Sequence, residues 1–318
     1  MLKFKIKQMK NIYLAPMEGV TTSIYRRVLN KYYPGIFKFF TPFISPNQTK
    51  TFQARELDEM DSEKNAGMNT CIQLMTNNQE HFLFAAREII KRGYGEVNLN
   101  LGCPMPQVVT KKKGSGFLKD TVALEQFLYE VFATGLKLNI SVKTRLGVDS
   151  PDEFYEILDI YNKFKFSEVI LHARIQKDLY KGSVRTEWFD YAYENSKNPL
   201  VFNGDMREIS DIDGISLKYP LNPAVMLGRG IIARPYILCD GDVLRDKERF
   251  KSFNDELLYE YSARIGGDFN VLCKLKELWF YMLPCLDVSK DFDKKIRKVS
   301  RVADYKMLVH EITDSVRN

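Results

Sequence analysis

Through the first three quarters of the chain, short apolar runs rich in β-branched and aromatic residues alternate with longer segments of helical periodicity. This is the pattern of repeated βα units around a parallel sheet. Eight runs qualify as strands: NIYLAPM from Asn11, IFKFFTPF from Ile36, NTCIQLM from Asn69, EVNLNLG from Glu96, LNISVKTRL from Leu138, EVILHAR from Glu168, PLVFNGD from Pro199 and PAVMLGRG from Pro223. Eight parallel strands with intervening helices predict an α/β fold closed into a (β/α)8 TIM barrel. The helices have legible starts. Ser150-Pro151-Asp152-Glu153 offers an N-cap, a proline at N1 and a glutamate at N3. Asn77-Asn78-Gln79-Glu80 precedes Phe82, Ala85, Ala86, Ile89 and Ile90, whose spacing makes one apolar face.

After Arg234-Pro235-Tyr236 the pattern changes. From about Val243 onward the periodicity is helical only, with breaks at Gly266-Gly267 and Pro284. The expected organisation is a catalytic barrel over residues 1–242 and a small all-helical domain over 243–318.

Composition narrows the class. With 45% hydrophobic and 28% charged residues in 318, the chain has the make-up of a folded globular protein and not of a disordered one. The opening MLKFKIKQMKNIYLAPM lacks the continuous apolar stretch of a signal peptide, and no later run reaches membrane-spanning length. A cytoplasmic monomer without membrane association is expected. Five cysteines, Cys71, Cys103, Cys239, Cys273 and Cys285, include no C-x-x-C pair, and His81, His172 and His310 do not cluster with them, so neither a disulfide framework nor a metal site is expected. The net charge of +6 permits an RNA partner but is ordinary for enzymes of small substrates. Lys294-Lys295-Ile296-Arg297-Lys298 with Arg301, and Lys111-Lys112-Lys113, are either phosphate contacts or solvated faces.

Catalytic groups of such barrels lie at the C-terminal ends of the strands. Here those ends carry Gln73, Asn100 and Cys103, Lys143 and Arg145, and His172 and Arg174, side chains that would converge on one mouth. The last two strands end in Asn203-Gly204-Asp205 and Gly228-Arg229-Gly230, where this fold recurrently binds phosphate. Glycine admits the phosphate close to backbone N–H groups and Arg229 adds charge-assisted hydrogen bonds. An unperturbed thiol with a pKa of about 8.5 is protonated at neutral pH, so Cys103 suits a general acid. Lys143, inward at the mouth, requires an anionic partner, and a reduced flavin fits that need.

These motifs resemble, in order through nearly the whole barrel, the dihydrouridine synthase family. Ala15-Pro16-Met17-Glu18-Gly19-Val20 resembles its opening motif; Asn100-Leu101-Gly102-Cys103-Pro104, Gly114-Ser115-Gly116 and Leu118-Lys119-Asp120 resemble its catalytic segment. Ser141-Val142-Lys143-Thr144-Arg145-Leu146-Gly147 and Leu171-His172-Ala173-Arg174 resemble the strands that carry its flavin lysine and histidine. The resemblance implies that Pro16, Met17, Glu18, Gln73, Lys143 and His172 hold the isoalloxazine of FMN. It implies that Asn203, Gly204, Asp205, Gly228 and Arg229 hold the phosphate end, and that Asn100, Arg145 and Arg174 face the substrate. NADPH would reduce the flavin, hydride would pass to uracil C6 of a tRNA uridine, and Cys103 would protonate C5. The helical tail, where Leu275-Lys276-Glu277-Leu278-Trp279 is reminiscent of the family's C-terminal domain, would bind the tRNA.

The chain also departs from the family. The second strand ends Phe40-Thr41-Pro42 where many members carry a glutamate, and the catalytic region reads Asn98-Leu99-Asn100 with Met105-Pro106-Gln107 after the cysteine. Two rivals share parts of the pattern. Another FMN barrel, a dihydroorotate dehydrogenase or an enone reductase, would share the phosphate loops and the lysine but not Gly-Cys-Pro and the tail. A non-catalytic RNA-binding barrel would not need every catalytic position intact.

Overall fold

The computed structural model describes residues 11–238 and 246–317. The N-terminal lysine-rich segment, Cys239 and the domain boundary expected between 242 and 243 lie outside the described residues. All eight expected strands form: β1 (Asn11–Leu14), β2 (Ile36–Phe40), β3 (Thr70–Leu74), β4 (Glu96–Leu101), β5 (Asn139–Thr144), β6 (Val169–His172), β7 (Leu200–Asn203) and β8 (Ala224–Leu227). Each pairs in parallel with its neighbour and β8 returns to β1, in register Asn11 to Ala224 through Leu14 to Leu227, closing the barrel.

Alternation along the strands divides their side chains between two surroundings. Ile12, Leu14, Ile72, Leu74, Val97, Leu99, Val142, Val169 and Leu171 point outward and merge with the helices into the main apolar core. Tyr13, Ala15, Phe40, Cys71, Ile170, Val201, Ala224 and Met226 form a separate apolar cluster inside the barrel. The remaining inward positions are polar, and they include buried Lys38, Gln73, Asn98, Asn100 and Ser141.

The helix Gln79–Lys91 starts as its sequence signal predicts, with the Asn78 side chain accepting from the His81 N–H. The helix after β5 begins later than its signal, at Glu153 instead of Pro151. The reason is local: the Glu153 carboxylate reaches back to the N–H groups of Val148, Asp149 and Ser150 at 2.7–2.9 Å, and the intervening residues close as a tight turn. The capping residues are those expected, but they hold a turn ahead of the helix.

The C-terminal region is helical, with helices Lys247–Arg264, Asp268–Met282, Asp291–Lys298 and Val302–Ser315. Breaks fall at Gly266-Gly267 and at the Pro284 turn, as the sequence predicts. Helix Lys247–Arg264 packs on the first barrel helix, Ser23–Tyr32. Phe253 meets Tyr25, Tyr32 and Tyr33 edge-on, and the Tyr261 hydroxyl bonds Thr22 Oγ1 at 2.9 Å. Trp279 is fully buried with its Nε1–H on the Tyr305 hydroxyl at 2.7 Å. Among the described residues no helix is long and apolar enough to cross a membrane.

Candidate active site at the barrel mouth

The structure brings Gln73, Asn100, Cys103, Lys143, Arg145, His172 and Arg174 to the C-terminal end of the strands, because each closes or follows an inward position of β3, β4, β5 or β6. Asn100 is the clasp of the cysteine segment. Its Oδ1 accepts from the N–H groups of Gly102 and Cys103, both at 3.0 Å, while its Nδ2 donates to Gln73 Oε1 at 2.8 Å. Behind the cysteine, Ser115 donates its N–H and hydroxyl to the Cys103 carbonyl at 3.0 and 2.9 Å. Gly114, at φ +56°, makes that approach: a Cβ there would sit 2.7 Å from the Cys103 carbonyl oxygen. The thiol is half-buried, and burial pushes its pKa up, against the pull of the Met105 N–H, Arg145 and Lys143. It therefore stands protonated at neutral pH.

The Lys143 side chain makes no hydrogen bond or ion pair with any described residue, and its ammonium, on a residue left partly accessible, lies near Arg145 and Cys103. Burial first, then repulsion from Arg145, lowers its pKa to about 7. His172 is held well below the ordinary histidine value by burial and by Lys143, Arg145, Arg174 and Arg229 around it, so the ring is neutral. Its Nε2 lies 2.8 Å from Arg174 Nη1. A guanidinium only donates, so Nε2 accepts and the ring proton sits on Nδ1.

Arg145 and Arg174, each about 1% exposed, are committed to the protein. Arg145 donates to the carbonyls of Gly102, Ile175 and Leu179 at 2.9, 2.8 and 2.6 Å. The last of these holds Leu179 at φ +51°, a conformation non-glycine residues rarely adopt. Arg174 donates to the carbonyls of Lys181 and Gly182, to His172 and to both oxygens of Asp205. Asp205 also receives Arg229 Nη2 at 3.0 Å, and against burial Arg174, Arg229 and Arg207 hold its carboxyl below the usual range. Asp205 thus serves Arg174 and Arg229, and of these partners only Arg229 is left half-exposed, its side chain 38% accessible. The exposed ring of Tyr180 lies 5.2 Å from the guanidinium carbons of both Arg145 and Arg229 and stacks on His172.

The other expected residues surround this mouth. Asn203 donates to the Met226 carbonyl at 2.8 Å, which ties the ends of β7 and β8. Gly204 packs so closely that a Cβ would meet Val184 at 2.6 Å, and Gly228 faces Ala15 and Met17. Met17 caps the β1 turn through its N–H on Thr21 Oγ1 at 2.8 Å; Pro16 beside it is half-buried. Glu18 is exposed and paired with Arg55. Tyr180, Asn98, Ser141 and Glu96 also belong to this site, although the sequence motifs assign none of them a role. The last three were signalled by polar residues at every second position of β4 and β5, namely Glu96, Asn98 and Asn100, then Asn139, Ser141 and Lys143, with mostly apolar residues between them.

The model of the dihydrouridine synthase family matches residues 13–306. The chain is 24% identical over 307 residues to a tRNA-dihydrouridine(16) synthase of Vibrio vulnificus, covering 92% of this chain and 94% of that one. It is 29% identical over 237 residues to the enzyme of the same name from Pseudomonas putida, covering 70% and 71%. A probable tRNA-dihydrouridine synthase of Rickettsia bellii is 26% identical over 238 residues, covering 74% and 72%. Among solved structures, histamine dehydrogenase from Rhizobium sp. 4-9 superposes with TM-score 0.54 at 11% identity, over 76% of this chain and 46% of that one. Morphinone reductase superposes with TM-score 0.50 at 10% identity, over 72% and 84%. At such identities the likeness is one of fold.

Proposed function

This chain belongs to the dihydrouridine synthase family, and from that premise we propose that it reduces the 5,6 double bond of specific uridines in tRNA, with FMN as cofactor, NADPH as reductant and Cys103 as proton donor. The observation that carries the reading is the pair at the mouth: an ammonium, Lys143, without a partner among the described residues, beside a thiol that burial keeps protonated.

The residues fit a flavin. Lys143, the Gln73 amide and the Nδ1–H of His172 supply one cation and neutral donors for the isoalloxazine, with Pro16, Met17 and Glu18 closing its edge from the β1 turn. Arg229, with the backbone around Asn203, Gly204, Asp205 and Gly228, supplies the phosphate end. Bound there, FMN would supply the two electrons of the reduction. The chain's own part is to pair Lys143 with the negative charge of the reduced cofactor and to keep His172 neutral and donating. It must also hold the Cys103 thiol for delivery of its proton to uracil C5. The thiolate left behind is stabilised by Lys143 and Arg145, the same cations that oppose burial in the resting thiol. Asn100, Arg145 and Arg174 act on the substrate side through the loops they clamp. The target base must leave its stack to reach this mouth.

Residues 1–242 are assigned as the catalytic barrel and 243–318 as the tRNA-binding helical domain of a cytoplasmic monomer. The deciding experiment incubates the purified protein with NADPH and unmodified tRNA transcript and measures dihydrouridine by mass spectrometry. New dihydrouridine supports the reading and maps the position. None from flavin-loaded protein, on transcript or on tRNA carrying its other modifications, overturns it.

A further inference from the structure

Beneath the mouth, one file of hydrogen bonds runs down the barrel interior. The N–H groups of Gly102 and Cys103 donate to Asn100, Asn100 Nδ2 to Gln73 Oε1, and Gln73 Nε2 to Asn98 Oδ1 at 2.7 Å. Asn98 Nδ2 then donates to Ser141 Oγ at 3.0 Å, and Ser141 Oγ to Glu96 Oε1 at 2.8 Å. The second oxygen of Glu96 receives Lys38 Nζ at 2.8 Å, and Lys38 also reaches Glu168 at 2.9 Å.

Every donor in the file points the same way. It begins at backbone N–H groups, which only donate, and ends at an ion-paired carboxylate that offers Ser141 an acceptor. No amide along it can turn over alone without setting donor against donor above it; for Asn100 and Gln73 acceptor would also meet acceptor below, and for Asn98 the Ser141 hydroxyl would have to leave Glu96 to donate upward. Gln73, Asn98 and Ser141 are all fully buried, so no bulk water replaces a broken link. Bonds in such a chain also strengthen one another, by roughly 10–30% each. Barrel interiors are ordinarily filled with branched apolar residues, so a polar file here has a cost that packing does not explain.

We propose that Ser141 is a positioning residue for the active site: its hydroxyl couples the Glu96 carboxylate to Asn98, Gln73 and Asn100. It thereby holds from below the amide orientations that the Gly102 and Cys103 N–H groups set from above, and with them the placing of the Gln73 amide and of the Cys103 backbone. The inference rests on the reading of Gln73 and Cys103 as flavin and proton-donor residues. Without the hydroxyl, Asn98 Nδ2 loses its acceptor and the constraint on the amides above it is released from below.

The test is a double-mutant cycle on the full chain stripped of flavin, read by FMN fluorescence titration and by the rate at which iodoacetamide alkylates Cys103. Ser141→Ala is expected to weaken FMN binding roughly five- to tenfold and to raise Cys103 alkylation several-fold, with Ser141→Thr restoring both. In a Gln73→Ala background the same substitution is expected to change FMN affinity by less than about twofold, because its effect passes through that amide. Additive losses, or a Ser141→Ala protein with wild-type affinity and alkylation, overturn the proposal and leave the assigned function standing. A wild-type protein that binds no FMN and makes no dihydrouridine overturns the assigned function instead, and alkylation alone then decides whether Ser141 positions Cys103. If Ser141→Ala does not fold, Ser141→Cys, which keeps the volume and donates weakly, takes its place in the cycle.

Discussion

The Cys103 thiol and the Lys143 ammonium sit under the same roof but respond to it in opposite ways, because burial penalises whichever form is charged. For Cys103 that is the thiolate, and its pKa rises. Alkylation of Cys103 is therefore expected to be slow at neutral pH and to keep accelerating past about pH 9, where an unperturbed thiol with a pKa of about 8.5 would level off. Cys103→Ala is expected to retain FMN and to lose about 10²- to 10⁴-fold in dihydrouridine formation, the usual worth of a general acid; an unchanged rate by mass spectrometry would remove the residue from the chemistry. For Lys143 the penalised form is the ammonium, and its pKa falls to about 7. The unfolded chain, with an ordinary lysine, holds that proton up to its own higher pKa. Between the two values the unfolded state binds more protons, so this group makes stability rise with pH through that window, and below it the cation's burial cost is present in full. Lys143→Met should accordingly stabilise the flavin-free protein at about pH 6, by roughly 2–4 °C in Tm for each kcal/mol recovered. That gain should shrink toward about pH 10, while flavin binding weakens. A variant less stable than wild type at low pH would show that the ammonium has a partner in solution.

At the scale of elements, the strand ends place the donors but the loops aim them. The segment after β4 folds back as a 3-10 turn, Gly114–Lys119, onto the cysteine it follows. Gly114 lies at a left-handed φ with the Cys103 carbonyl where a Cβ would go. Gly114→Ala is expected to cost about 1–2 kcal/mol from the backbone conformation alone, and more from the collision. Urea unfolding gives the stability, and the rate of Cys103 alkylation reports whether the loop has moved. The loop after β6 is held from below: Arg145 and Arg174 take four of its carbonyls, those of Ile175, Leu179, Lys181 and Gly182. Two buried cations thus organise a loop that carries Tyr180 over the mouth, and Asp205 links one of them, Arg174, to Arg229.

At the scale of the molecule, the helical region is seated on the first barrel helix by Phe253, Tyr261 and the aromatic residues they meet. The ion pairs Lys31–Glu256 and Arg27–Glu260 on its rim are partly solvated and add little. Within the exposed basic helix Asp291–Lys298, Lys295 and Arg297 are paired with Glu311 and Asp293, whereas Lys294 and Lys298 have no partner among the described residues. If this helix meets the tRNA backbone, Lys294→Glu with Lys298→Glu should weaken tRNA binding and lower its salt dependence by about one to two phosphate contacts, leaving FMN affinity unchanged. An unaltered slope of affinity against salt would return the cluster to a solvated face.

The βα alternation alone determined the barrel and its eight strands, because short apolar runs separated at regular intervals by helical segments leave few other ways to bury one sheet. It also determined which side chains reach the mouth, since strand ends and fold direction fix that together. Division of labour among those side chains was beyond it. Arg145, Arg174 and Asp205 read as ligand residues from their positions, and only the folded loops, which bring carbonyls and carboxylate to the guanidiniums, show them engaged by the protein itself. The file from Cys103 to Glu96 was half legible, as polar residues at alternate positions of β4 and β5. Its direction was settled by tertiary structure, because the sense of each hydrogen bond depends on Lys38, Gln73 and Ser141 meeting across four strands that the sequence keeps far apart.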